Sequence, residues 1–479
     1  MLFNSIEYLL FLPVVFLLYW YGFRQRRWQN AFVVVASYVF YGWWDWRFLI
    51  LIAFTTACSY ASGVAIEHFK DNRRRQKLVC AANVIVNLGI LGAFKYFNWF
   101  VDSLQSLVGI WGWQLDFVTV QLILPVGISF YTFQALSYTI DVYKGKVEPT
   151  HDVVAFFAFV SFFPQLVAGP IERASNLLPQ FLADRRFSYP AAVDGMRQML
   201  WGFVKKMVIA DNCATYVDHI FTHFHTCNSS ELILGVLLFS FQIYGDFSGY
   251  SDIAIGTAKL FGINLMQNFN YPYFSRNIGE FWHRWHISLT SWFRDYVYFP
   301  LGGSRCSQAK KIRNTMAVFV VSGIWHGAKW GYVTWGFFHG LAFVVLMLIG
   351  GNKKYRDTVA QGRVLPSLRD VVNMLVTFLF VAFSRLLYRT NSITDSWHYL
   401  CRIFTDFSLS LPAMGGTVTG WIVVFMLVEW LQRTKPHALC IDGVPLLRYR
   451  AARWALYLGL VTFTLVYSAS SQQFIYFQF

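Results

Sequence analysis

The chain has 479 residues, of which 56% are hydrophobic and 14% charged, and its 40 lysines and arginines against 25 acidic residues give a formal net charge of +15. Soluble domains carry about 25% charged residues, and a water-soluble globule of this composition would expose large apolar patches and aggregate. The composition excludes a disordered chain and argues against a soluble globule. The basic residues fall in short clusters between long apolar runs, the pattern of loop charges in a polytopic helical membrane protein rather than of a nucleic-acid footprint.

The N-terminal MLFNSIEYLLFLPVVFLLYWYG is followed by RQRRWQN. A secretory signal carries its basic charge before the apolar core, so this segment reads instead as a first span whose C-terminal end faces the cytoplasm. Apolar runs follow at 28–44, 48–66 and 79–98, with the basic EHFKDNRRRQK between the last two. Two spans then separate the basic clusters at 24–27 and 70–77, as the positive-inside rule requires. Residues 98–119 have few basic residues and many aromatics and read as an external loop or interfacial helix. A span at 120–142 returns to the KGK at 144–146. Residues 152–169 are apolar but interrupted by Pro164, with Pro170 next, so a re-entrant hairpin and a span are both open.

Spans follow at 191–210 and 231–258. Residues 263–313 carry Arg276, Arg284, Arg294, Arg305, Lys310, Lys311 and Arg313 yet include WFRDYVYFPLGG, which suits a helix dipping into the membrane from the cytoplasmic side. The last spans lie near 314–331, 332–350, 371–390, 418–432 and 454–471, separated by basic loops at 351–370 and 433–453. The expected fold is all-α: a polytopic bundle of 10–12 transmembrane helices with both termini outside the cytoplasm. No tandem repeat or low-complexity linker is visible. The short loops leave no room for a soluble catalytic domain, so residues 1–473 read as one membrane domain and 474–479 as a separate aromatic motif. The seven cysteines form no CxxC pair, and their odd number argues against a full disulfide framework.

Polar residues inside apolar runs are costly and point to function. His326 sits in SGIWHGAKWG beside Trp325, with Gly323 and Gly327 leaving room for a substrate or another helix. An imidazole there can take a proton from a hydroxyl, or it can be a core histidine bonded to a backbone carbonyl. His283 and His286 are three apart, which places them on one helical face, but no nearby ligand completes a metal site. In FQIYGDFSGYSDIAIG, Gln242, Asp246 and Asp252 form a polar stripe, either a tunnel lining or a helix–helix seam. His219, His223 and His225 read as a solvated external loop rather than a zinc site. FIYFQF at 474–479 is an interfacial anchor, or its Tyr476 is a nucleophile reaching back into the bundle.

Together these segments resemble the membrane-bound O-acyltransferase (MBOAT) family, and within it the bacterial branch that serves alginate, peptidoglycan, cellulose and teichoic-acid acylation. The resemblance runs from MLFNSIEYLLFLPVV through ILPVGISFYTFQALSYTIDVYKG, FFPQLVAGPIERA and FNYPYFSRNIGEFWHRWHISLTSWFRDYVYFPLGG to VSGIWHGAKWGYVTWGFFHG. It implies a bundle with re-entrant helices and a central funnel or tunnel. It implies His326 as the family's near-invariant histidine, His286 as the second, and motif positions for Trp325 and Asp295. His283 departs from the family pattern FW-R-RWH and receives no role.

The resemblance further implies an acyl donor that is a cytoplasmic thioester, acetyl-CoA above all, with no resident cofactor and no metal. The FIYFQF motif is similar to that of a small partner in teichoic-acid D-alanylation. This implies a relay: from thioester to Tyr476 with His326 as base, then to an extracytoplasmic serine-dependent (SGNH-type) acetyltransferase that modifies a cell-envelope polysaccharide. The protein would sit among the lipids of the bacterial inner membrane with its C-terminus outside. Lipid or protein O-acylation is the alternative within the enzyme class. Outside it the alternatives are a transporter, which would move an ion or solute with no acyl product, and a non-enzymatic scaffold, which would tolerate loss of His326.

Overall fold

A computed structural model of the chain describes residues 1–112, 122–355, 357–405, 407, 410, 412, 414–469, 472, 474 and 475. Among these the fold is all-helical, with no strand. Five helices are long and apolar enough to cross a membrane: Phe48–His68, Arg73–Gly109, Ser229–Leu260, Trp330–Leu348 and Leu368–Arg389. Two shorter apolar segments, Ile6–Gly22 and Gly416–Leu431, accompany them. The chain divides into two compact units: 1–192 with 258–265 and 327–329, and 193–257 with 266–326 and 330–479.

The first unit contains α1 (Ile6–Leu17), α2 (Arg26–Gly42), α3 (Phe48–His68), α4 (Arg73–Gly109), α5 (Ile128–Tyr143), α6 (Val153–Ser161), α7 (Phe163–Leu166) and α8 (Ala174–Leu182). Three helices begin on side-chain caps: Ser5, Asn72 and Asp152 accept from Tyr8 N, Arg75 N and Ala155 N. The aromatic-rich stretch expected to be a loop or interfacial helix from residue 98 is instead the continuation of α4, unbroken to Gly109. The part of that expectation at 113–119 lies outside the described residues. The break expected near Pro164 falls between α6 and α7. There the Phe159 carbonyl accepts from Gln134 Nε2 at 2.6 Å and Gln165 Nε2 at 2.9 Å. Two buried amides thus satisfy backbone that the interrupted helix leaves exposed.

The second unit begins within α9 (Tyr189–Phe203), which runs into a π-helical turn at Val204–Ala210. It continues through α10 (Asp211–Thr222), α11 (Ser229–Leu260), α12 (Ile278–Arg284), α13 (Ile287–Phe293), α14 (Gln308–His326), α15 (Trp330–Leu348), α16 (Leu368–Ser384), α17 (Leu386–Arg389), α18 (Ile393–Thr405), α19 (Gly416–Leu431) and α20 (Arg450–Tyr467). Glycine lets α9 and α11 meet backbone to backbone. A Cβ on Gly202 would stand 2.7 Å from Gly249 O, and one on Gly249 would stand 2.8 Å from Gly202 O.

The approach to α12 is fixed by ions. Buried Glu280 accepts from Arg276 Nε at 3.0 Å and Arg284 Nε at 3.2 Å. Arg276 Nη2 reaches Asp357 Oδ1 at 3.0 Å in the following loop. The guanidinium beside Asp357 holds its carboxyl below the usual carboxylate range.

Candidate active site

His326 is the last residue of α14, and its position follows from how α14 meets α15. A Cβ on Gly323 would run into the Tyr332 carbonyl, and one on Gly336 into the Phe319 carbonyl. Two glycines therefore close the hairpin and set His326 against α15. Its ring is 4% exposed. It lies 5.5 Å from the Trp335 ring, 5.5 Å from the Tyr388 ring and 5.0 Å from Trp325.

His286 does not share a helical face with His283. The chain leaves α12 at Trp285, and His286 adopts a left-handed conformation, φ 45°, as the residue before α13. His283 is exposed, whereas His286 is 1% exposed. The reversal is fastened by Asn268. Its Oδ1 receives the Ser288 backbone N–H at 3.3 Å and the Ser288 hydroxyl at 2.9 Å, and it lies 3.0 Å from His286 Nδ1. A backbone amide can only donate, so this atom is the oxygen and His286 Nδ1 carries the hydrogen. The lone pair of His286 is then on Nε2. Asn268 Nδ2 is anchored in turn on Ser251 Oγ of α11 at 3.2 Å.

The two histidines flank one indole: His286 lies 5.9 Å from Trp325, which precedes His326. On its other side His286 meets Phe247 edge-on at 4.6 Å, and Phe247 meets Phe474 at 6.1 Å. The start of the FIYFQF motif is thus one phenyl ring from His286. Tyr476 lies outside the described residues and directly follows Ile475.

The acidic candidates separate. Asp246 joins Lys206 and Asp211 in a buried triad. Asp252 pairs with Lys205 and accepts from Gln198 Nε2 at 2.8 Å. The adjacent lysines of the π-helical turn thus reach two aspartates six residues apart on α11. Gln242 is half-buried on that helix. Asp295 pairs with neighbouring Arg294 at 2.9 Å.

Asp252 also borders a cavity of about 20 Å³ with Lys205, Tyr244, Ser248, Tyr271 and Glu429. It has room for about one water molecule and is too small for an acyl donor. His219 lies in the last turn of α10 rather than in a loop, whereas His223 caps that helix from the loop side, its Nδ1 2.9 Å from His219 O. No group of three metal-ligating side chains occurs among the described residues.

Three features escaped the sequence reading. Asn268 gives no signal without its partners. His339 is buried in α15, its Nε2 2.9 Å from Ser384 Oγ and its ring against Trp335 and Trp282. Lys205 and Lys206 did give a signal: two lysines inside the apolar run 191–210 are as anomalous as the aspartates they meet.

The sequence profile of MBOAT, the membrane-bound O-acyltransferase family, matches residues 147–360. The stretch contains Asn268, His286 and His326. The chain is 40% identical over 433 residues to the probable alginate O-acetylase AlgI of Pseudomonas aeruginosa, covering 90% of this chain and 80% of that one. The chain belongs to the membrane-bound O-acyltransferase family. It is also 29% identical over 533 aligned positions to the peptidoglycan O-acetyltransferase of Helicobacter pylori, covering 100% of this chain and 98% of that one. The teichoic acid D-alanyltransferase of Bacillus subtilis is 31% identical over 283 residues, 55% of this chain and 68% of that one. The protein is accordingly a multi-pass membrane O-acyltransferase, and the MBOAT frame fits a helical unit whose two buried histidines share one tryptophan.

Proposed function

We propose that this MBOAT protein takes an acetyl group from a cytoplasmic thioester, acetyl-CoA, and passes it through Tyr476 to an extracytoplasmic serine-dependent (SGNH-type) acetyltransferase. That partner O-acetylates a cell-envelope polysaccharide of the alginate or peptidoglycan kind. The relatives' substrates support the acceptor class. The observation that carries the reading is the run of ring contacts from Phe474 through Phe247, His286 and Trp325 to His326. It brings Phe474, the first residue of the motif, within one phenyl ring of His286.

In the proposed step, the Tyr476 phenol oxygen attacks the thioester carbonyl while His326 removes the phenol proton. The carbon–sulfur bond breaks, and the departing thiolate takes the proton back from the imidazolium. A phenol has a pKa near 10, so it needs this base at neutral pH. The partner's serine hydroxyl then attacks the tyrosyl ester, and phenolate leaves. Phenolate is a better leaving group than an alkoxide, so transfer from the tyrosyl ester to a sugar hydroxyl runs downhill. His286, its lone pair on Nε2, supplies a second acceptor beside the same indole.

The test is intact-protein mass spectrometry of wild type, His326→Ala and Tyr476→Phe after incubation with acetyl-CoA. A gain of one acetyl group in wild type alone supports the relay. Donor hydrolysis with no gain in any of the three would mean direct transfer to the partner. Wild-type polysaccharide acetylation in cells expressing His326→Ala would remove the catalytic assignment.

A further inference from the structure

The buried triad Lys206–Asp211–Asp246 takes no part in the chemistry above. Lys206 Nζ is 2.8 Å from Asp211 Oδ1 and 2.7 Å from Asp246 Oδ1. One ammonium faces two carboxylates, so the cluster has more acceptors than donors. Buried carboxylate oxygens without donors are costly.

The chain beyond α20 supplies a donor. The backbone N–H of Ile475 donates to Asp246 Oδ2 at 2.7 Å, and Lys206 Nζ donates to the Gln472 carbonyl at 3.2 Å. Between them Phe474 is buried against Tyr250, 4.8 Å away, and Phe247. All these contacts are to backbone or to an apolar ring, so they read the path of the segment and not its polar side chains.

The position of the triad adds to this. Asp246 is seventeen residues into α11 from Ser229, about 26 Å along the helix at 1.5 Å per residue. The segment after α20 therefore returns to the middle of the longest apolar helix of its unit. Asp246 is also next to Phe247, the ring that touches both Phe474 and His286. A shift of the docked segment by one residue would exchange Tyr476 for Ile475 at this point.

We infer that Lys206, Asp211 and Asp246 form a clamp that docks the backbone at Gln472 and Ile475, fixing the register that delivers Tyr476 to the histidine centre. The inference rests on the relay reading for its purpose, and on the contacts above for its existence. The three are positioning residues.

The test uses the full chain. Hydrogen exchange is followed over 472–479 in wild type, Asp246→Asn, Ile475→Pro and Tyr476→Phe. Ile475→Pro removes the donor, together with the isoleucine side chain, but leaves the three triad residues in place, so it serves even where Asp246→Asn fails to fold. Loss of one charge-assisted hydrogen bond predicts exchange roughly tenfold faster in both clamp variants, and wild-type exchange in Tyr476→Phe. Ile475→Pro is further expected to keep the wild-type rate of thioester hydrolysis and to lose most acetyl-tyrosine formation. A merely structural contact would move both together.

Wild-type exchange in both clamp variants, or equal loss of hydrolysis and transfer in Ile475→Pro, would overturn the clamp. Fast exchange in the clamp variants with wild-type acetyl transfer by Tyr476→Phe would sustain docking and overturn the relay alone.

Discussion

At the scale of single residues, the centre depends on an amide that does no chemistry. Asn268 fixes which nitrogen of His286 bears the hydrogen, because its Oδ1 is committed by the Ser288 amide. Asn268→Leu should lower kcat about tenfold, the worth of one oriented hydrogen bond of roughly 1.5 kcal/mol, with KM for the donor little changed. Asn268→Asp keeps an acceptor oxygen and should restore much of that rate. Steady-state acyl transfer by the two variants, in protein of equal thermal stability, decides it; equal loss in both would leave Asn268 a packing residue. His326 and Asp246 could be singled out from the sequence because each is a polar group in an apolar run, and His286 because its motif resembles the family's. Asn268 could not, since its role exists only once 268 and 286 lie side by side. The left-handed turn at His286 was likewise hidden: the spacing from His283 suits a helix, and tertiary bonds to Asn268 and Asn270 on either side of His286 hold the chain out of one.

At the scale of elements, glycine decides where helices meet. Gly323 and Gly336 oppose carbonyls of the facing helix, and carbonyls cannot swing aside as a side chain can. Gly323→Ala or Gly336→Ala should push α14 from α15 and displace His326, at a cost of about 1–3 kcal/mol for overpacking. Gly420 in α19 and Gly459 in α20 have nothing within 4 Å of a Cβ among the described residues. Alanine there should be neutral or stabilise by roughly 0.5–1 kcal/mol through helix propensity. Thermal unfolding of the four variants in detergent separates the pairs, and similar losses at all four positions would defeat the packing argument. Element positions were largely legible, because an apolar run of span length has few folded options in lipid. The expected 48–66, 231–258 and 418–432 correspond to Phe48–His68, Ser229–Leu260 and Gly416–Leu431. The π-helical turn at Val204–Ala210 was not legible, since two lysines pulled towards Asp246 and Asp252 set it, and no local periodicity does.

At the scale of the whole molecule, the relay and the clamp both depend on which side of the membrane each loop occupies, and that is written in charge. The basic clusters at 24–27, 70–77, 144–146, 351–370 and 433–453 recur with apolar helices between them. The positive-inside rule puts every one of these loops in the cytoplasm. On that rule the segment after 433–453 is expected to cross once, through Arg450–Tyr467, and to end outside. Ile475 then docks on Asp246 in the middle of α11. A tyrosine held on such a return can meet a donor reached from the cytoplasm and a partner waiting outside. A reporter active only outside the cytoplasm, fused after Phe479, should therefore be active, and the same reporter inserted in 351–370 should be silent. Single cysteines at those loops, in a background with the seven native cysteines replaced, should show the same sides by labelling with an impermeant maleimide. A silent reporter after Phe479 would leave the tyrosyl ester on the donor's side of the membrane, and the handover to an extracytoplasmic partner would fail with it, whatever the histidines do.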